Sequence, residues 1–380
     1  MILKNARIIL EDKEIKNGWI EIEDKKIKNI GEGATTLDGT DLNGKTIMPG
    51  FIECHVHGGY GVDFETGTVE GYKKFAKLVA QEGVTKYCQG SVTNSRENNI
   101  KYFGAFKEFM ASQTEPAAIC LGCHLEGPFI SPEKKGAHEL ELLAKPNEKD
   151  MQELIDLSGN NIRVVTYAND LQDGSFTKFL LKNRIIPSMG HTPTSYDDAM
   201  RDYKLGAKHC THLFNAMSGV DHREPGLATL ALDYDDFLVE VISDGIHVAQ
   251  PVLELIYRAK GPKQICIITD AMNAKGMPDG EYKLGNLDVV KKGMRVALKS
   301  SGMLAGAGAT YDHNVRIYHS LIGMSLVELS WMTATNIAHQ LGIYEETGSI
   351  EVNKLADLVV VDDDLNIAMT IVEGQVAFQK

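Results

Sequence analysis

Residues Phe51 to Gly59 read FIECHVHGG, an apolar run that ends in two histidines two positions apart. In an extended strand, side chains at i and i+2 share a face, so His55 and His57 can point to the same side. Imidazole nitrogens placed that way suit a divalent metal ion. Polar residues at a strand end are also common without one. The other strand ends decide between the two readings.

Moving outward, short apolar runs recur at 50–56, 84–91, 117–125, 161–168, 184–189, 207–212, 237–243 and 264–269. Helical patterns fall between most of them, at 68–82, 96–112, 147–157, 194–204 and 250–260. Eight strands alternating with helices predict an α/β fold, a (β/α)8 TIM-like barrel, with a doubly wound open sheet as the alternative. Residues 271–309 are Gly-rich and partly alternating, which predicts hairpins inserted after the eighth strand. Residues 1–48 and 348–380 both read as short strands and turns. They predict a small β-sandwich domain built from both termini around a barrel of residues 49–347.

Barrel enzymes carry their chemistry at the C-terminal strand ends. Here metal-type ligands follow six of the eight runs. His55 and His57 follow the first run, His124 and Glu126 the third, and His191 the fifth. His212 ends the sixth, Asp244 and His247 follow the seventh, and Asp270 ends the eighth. His55 and His57 could clamp one ion, Glu126 could bridge two, and His191 with His212 could complete a second site. Zn, Fe, Mn and Co all suit such donors. A bound ion lowers the pKa of a coordinated water toward neutrality, and Asp270 is the candidate base that takes its proton. His209 competes with His212, but three positions away in an extended strand it faces elsewhere. His222, His313, His319 and His339 have no strand-end context and are expected at the surface or in packing.

Hydrophobic residues make up 43% of the 380 positions, charged residues 24%, and the net charge is −13. That composition suits a globular protein, and the acidic balance argues against nucleic-acid binding. No apolar run reaches membrane-spanning length. The start has no secretory pattern, so a cytoplasmic location with reduced thiols is expected. Cys120 and Cys123, followed by His124, match a haem-attachment spacing, but they lie inside a strand-like run.

The segments PGFIECHVHGG, HLEGPF, KGAH, GHTPT, THLFNAM, REPGL, SDGIHV, TDAM and LAGA occur in this order along nearly the whole chain. In that order they resemble the N-acetylglucosamine-6-phosphate deacetylase family of the amidohydrolase superfamily. The resemblance implies a metal-dependent hydrolase of a phosphorylated N-acetyl amino sugar, with one or two divalent ions per subunit. It places the main metal site on Glu126, His191 and His212 and the catalytic aspartate at Asp270. Some members lack both histidines of the first motif, so the presence of His55 and His57 favours a second ion. It further implies phosphate contacts from Arg223, Asn215 and Ala216, and sugar and acetamido contacts from His138 and His247. Leu304, Ala305 and Gly306 match a loop whose backbone approaches the substrate. A homodimer is expected from the same resemblance, and the galacto epimer of the sugar remains the alternative substrate.

Overall fold

The structure, a computed structural model, describes residues 1–113 and 116–380. Eight parallel strands form one sheet in chain order: Phe51–Val56, Val84–Ser91, Ile119–Glu126, Ile162–Tyr167, Ile186–Met189, His209–Cys210, Leu238–Ile242 and Ile265–Ile268. Each strand pairs with the next along the chain, which is barrel rather than doubly wound order. The seam between the first and eighth strands closes through Asp270 N to His55 O (3.0 Å) and His57 N to Ala271 O (2.7 Å). The Glu53 carboxylate fills the rest of the seam, accepting from Thr269 N at 3.0 Å and His55 N at 3.1 Å.

The helices between the strands start where their capping residues dictate. Thr68, Ser95, Asn147 and Ser195 each accept a hydrogen bond from the backbone three residues on, ahead of helices Val69–Val79, Arg96–Ala111, Glu148–Leu157 and Tyr196–Leu205. The first of these buries Tyr72, Phe75, Ala76 and Val79, a spacing that gives one apolar stripe against the barrel wall. Further helices at Ser175–Lys182, Leu227–Asp233, Gln250–Lys260 and Tyr311–Ile322 complete the outer ring.

The strands of both termini form one hydrogen-bonded sheet, in which Thr40–Asp41 pairs with Ile2–Ile9 off the main path. Ile2–Ile9, Glu14–Glu23, Lys26–Glu32, Thr40–Asp41 and Thr46–Pro49 join Leu358–Val361, Ile367–Val372 and Gln375–Gln379. Their shared core includes Leu3, Ile8, Ile20, Ile47, Leu358 and Ile371 from both ends of the chain. Only Gly50 separates the last N-terminal strand of this sheet from the first barrel strand. After the eighth strand, Gly280–Leu284, Leu287–Lys292, Arg295–Leu298 and Leu304–Ala307 form a four-stranded antiparallel sheet beside the barrel mouth. Among the described residues, no helix is long and apolar enough to cross a membrane.

Candidate active site

Of the residues named from strand ends, His55, His57, Glu126, His191, His212 and Asp270 gather at one point in the barrel mouth. Glu126 sits at the centre. Its Oε1 lies 2.9 Å from His212 Nε2 and 3.2 Å from His191 Nε2, while its Oε2 lies 3.2 Å from His57 Nε2. His57 Nε2 is also 3.2 Å from Asp270 Oδ1 and 3.1 Å from His55 Nε2. Two donor groups, His55–His57–Glu126–Asp270 and Glu126–His191–His212, share Glu126, and a third, His55–His124–Glu240, lies beneath them. Glu126 is thus a donor that both groups could use to hold an ion.

Backbone conformation aims several of these side chains. His191, His212 and Asp270 have φ of 49°, 28° and 52°. Left-handed backbone at a non-glycine residue costs about 1–3 kcal/mol and concentrates at functional sites. Here it ends the fifth, sixth and eighth strands abruptly and turns each side chain over the barrel. Gly90 supports His57 in a different way. A Cβ at that position would meet Val56 O at 2.8 Å and His57 Nδ1 at 2.9 Å, so only glycine lets the second strand pass this close.

The donor set fits a divalent ion on two observations. His191 Nδ1 donates to Lys134 O at 2.7 Å, which leaves a lone pair on Nε2 facing His212 Nε2 at 3.1 Å. His55 Nδ1 donates to Glu240 Oε2 at 2.8 Å, and its Nε2 faces His57 Nε2. Two imidazole lone pairs at such distances repel unless a proton or a metal ion lies between them. The second observation is charge. Burial opposes charge on His55 and His57, yet Glu240 and Glu126 raise His55 well above ordinary imidazole, and Asp270 and Glu126 raise His57 to about 9. Burial also opposes charge on the acids, but His55 and His191 hold Glu126 well below the usual carboxylate range, and His57 lowers Asp270. The carboxylates demand positive charge at this point of the barrel.

One contributor escaped sequence reading. Glu240, fully buried in the middle of the seventh strand, accepts from His55 Nδ1 (2.8 Å), His209 Nε2 (3.0 Å) and His212 N (3.2 Å). It therefore grips one residue from each donor group from below. The available signal was an acid inside the apolar strand LVEVI. His209 lies beneath the site on Glu240, whereas His212 reaches Glu126. His124 also lies beneath, bonded to Cys54 O and Thr166 Oγ1, and burial lowers it to about 3. Cys120 and Cys123 are free, buried strand residues.

Above the donors is a cavity of about 310 Å³, the size of a small-molecule site. Its lining includes His138, Asn215, Ala216, His247, Leu304, Ala305 and Gly306, all named from the sequence. His138 Nδ1 accepts from Thr93 N at 3.2 Å, which leaves its proton on Nε2. His247 Nδ1 donates to Asp244 Oδ2 at 2.7 Å; burial opposes charge on His247, but Asp244 outweighs it and raises the pKa. Leu284 and Met303 from the antiparallel sheet, with Val92, Glu133 and Lys134 from barrel loops, complete walls that sequence reading did not supply. Arg223 does not line this cavity; it is exposed on the 221–226 loop, where its backbone N donates to Asp221 Oδ1 at 2.8 Å. His222, His313, His319 and His339 also lie outside the lining.

Residues 46–377 match the amidohydrolase family. The N-acetylglucosamine-6-phosphate deacetylase of Bacillus subtilis (strain 168) is 36% identical over 337 residues, which cover 88% of this chain and 85% of that protein. The solved structure of N-acetylglucosamine-6-phosphate deacetylase from Thermotoga maritima superposes with a TM-score of 0.91 at 31% identity, covering 100% of both chains. A point mutant of the Mycobacterium smegmatis deacetylase, solved in complex with N-acetyl-D-glucosamine-6-phosphate, superposes with a TM-score of 0.93 at 29% identity, covering 100% of this chain and 99% of its own. With this match and a metal-type donor cluster in the barrel mouth, the chain belongs to the amidohydrolase family of metal-dependent hydrolases.

Proposed function

We propose that the protein hydrolyses the acetamido group of N-acetylglucosamine 6-phosphate, giving glucosamine 6-phosphate and acetate. One observation carries the reaction type: Glu126 joins two histidine pairs beside Asp270 on the floor of a sugar-sized cavity. The substrate follows from the relatives, which act on this sugar phosphate by name.

Glu126, His191 and His212 would hold the main ion, and His55 and His57, with Glu126, a second one. Zinc, iron, manganese and cobalt all suit these nitrogen and carboxylate donors. Such an ion supplies a Lewis acid for the acetyl carbonyl and lowers the pKa of water. Asp270 takes the proton of the attacking water on its carboxylate and returns it to the amine nitrogen as the C–N bond breaks. His247, held by Asp244, and His138, held by Thr93 with its proton on Nε2, orient the acetamido group and sugar. Asn215 and Ala216 meet the phosphate end, and Leu304, Ala305 and Gly306 bring hairpin backbone against the sugar. Arg223 would serve the phosphate only after its exposed loop closes, or from a second subunit of a homodimer. A cytoplasmic location completes the reading; six free, buried cysteines suit a reducing compartment.

Acetate release tests this directly. Purified protein is assayed on N-acetylglucosamine 6-phosphate and its galacto epimer, before and after chelation, with metal content measured in parallel. Fast release from the gluco substrate, abolished by chelation and restored by a divalent ion, is expected. Release that survives complete metal removal, or none from either sugar, would overturn the reading.

A further inference from the structure

The proposed substrate carries a phosphate monoester, with a charge of about −1.5 to −2 near neutral pH. The cavity that must admit it carries acids, of which the proposed ions would offset those in the donor cluster but not Glu133. Glu126, Glu133 and Asp270 line it, in a chain whose net charge is −13. Arg223 is exposed and absent from the lining. Among the described residues of the lining, Lys134 is the one lysine or arginine.

Two further observations set Lys134 apart from an ordinary surface lysine. Its backbone is fixed to the metal-type cluster: Lys134 O accepts from His191 Nδ1 at 2.7 Å, Lys134 N donates to Ser131 O at 3.1 Å, and Ser131 N donates to His191 O at 2.9 Å. The next link runs toward the proposed phosphate contacts, because Thr192 N donates to Ala216 O at 3.2 Å. The segment carrying Lys134 therefore lies in register with His191, and His191–Thr192 in register with Ala216. The second observation is a contrast. The Lys135 ammonium is committed to backbone, donating to His138 O at 2.9 Å and Gly136 O at 3.4 Å. Lys134 is half-buried, and its ammonium has no ion pair or hydrogen bond among the described residues, although Glu133 is its neighbour in sequence. A lysine ammonium on a four-carbon stem is a point charge that can reach a phosphate without a fixed fork geometry.

We infer that Lys134 is a specificity residue, the counter-ion that this chain itself provides for the anionic end of the substrate. The inference rests on the deacetylase reading and adds to it the group that distinguishes a phosphorylated from an unphosphorylated sugar. Lys134 acts on binding and steering, not on the bond that breaks.

The test compares wild type with Lys134→Met and Lys134→Arg on N-acetylglucosamine 6-phosphate and on unphosphorylated N-acetylglucosamine. Lys134→Met should raise KM for the phosphorylated sugar by about tenfold or more, with kcat nearly unchanged. It should leave kcat/KM for the unphosphorylated sugar within about twofold and flatten the ionic-strength dependence seen with the phosphorylated one. Lys134→Arg should recover most of the loss. A structural role alone would change both substrates equally, and that outcome, or no change on either, would overturn the inference. Calorimetric binding of glucosamine 6-phosphate is measured on the same proteins. If the wild type releases no acetate, the deacetylase reading fails, and the inference is then judged by whether Lys134→Met weakens that binding. Equal binding by the two proteins, or none by wild type, would remove Lys134 from the role.

Discussion

Replacing Glu240 by Gln should loosen metal binding at both donor groups while leaving the fold intact. The carboxylate is fully buried and takes four donors: His55 Nδ1 and His212 N on Oε2, His209 Nε2 and Cys54 Sγ on Oε1. A glutamine keeps one acceptor and turns the other position into a donor. The carbonyl will stay with His55 and His212, because a backbone N–H cannot reverse its role. The new NH2 then faces His209 and Cys54. His209 can move its proton to Nδ1, which has no partner, and accept instead. Packing and most hydrogen bonds therefore survive, and the loss is the negative charge behind the His55 ring. A partner of this kind raises ligand basicity and fixes the tautomer, and its removal typically weakens metal affinity by about 10–100-fold. That corresponds to about 1.4–2.7 kcal/mol. Affinity is measured by competition with a chelator of known strength, with metal content counted per chain and circular dichroism as a check on folding. Tightness within about threefold of wild type would refute the argument. So would a Gln variant that binds metal poorly only because it is unfolded. Glu240→Leu should do worse, since it strands His55 Nδ1–H and His212 N–H in the core at about 1–3 kcal/mol each.

Three other outcomes follow from the same geometry. Asp270→Asn should lower acetate release by about 10²–10⁴-fold while the Glu126–His191–His212 group keeps its ion, since asparagine tolerates the left-handed backbone at this position; near-normal activity would remove Asp270 from proton transfer. Gly90→Ala should push the His57 ring and reduce occupancy of the His55–His57 group more than that of the His191–His212 group, read by metal count per chain; unchanged occupancy would show that the second strand can yield. Glu65, which accepts from Val92 N at 2.9 Å and Asn94 Nδ2 at 2.8 Å, is pushed by burial up to about 7 from an ordinary 4.5. An acid with a raised folded pKa binds more protons folded than unfolded, so its penalty is absent below about 4.5 and complete above about 7. The stability of Glu65→Gln relative to wild type should therefore rise by about 3 kcal/mol from pH 5 to pH 8 in chemical denaturation, above a pH-independent cost for the acceptor it loses, and a pH-independent difference would contradict this.

Much of the molecule was legible before any coordinates. The eight runs and their intervening helices were enough for the barrel, because a strand buried on both faces and a helix with one apolar stripe leave different periods in the chain. The hairpins after the eighth strand and the short strands near both termini were legible as elements for similar local reasons. The donors were legible because barrel geometry turns strand ends into neighbours: FIECHVHGG became informative once Glu126, His191, His212 and Asp270 stood at comparable places.

The rest depended on contacts between segments far apart in sequence. An acid inside an apolar strand is the one local mark of Glu240, and only the fold shows that it supports His55 and His212. Left-handed backbone at His191, His212 and Asp270 is imposed by surroundings that over-determine it, and local propensity points the other way. Lys134 and Lys135 are adjacent and chemically identical. Only the fold brings Lys134 beside His191 and into the cavity wall. Arg223 shows the converse, a residue conspicuous in its motif that the folded chain places outside the cavity. The sequence by itself determined which elements form and which donors meet, because periodicity and strand ends are local properties. The tertiary structure alone decided how those donors are aimed, held and charged, because burial, hydrogen-bond partners and electric fields come from residues that meet only on folding.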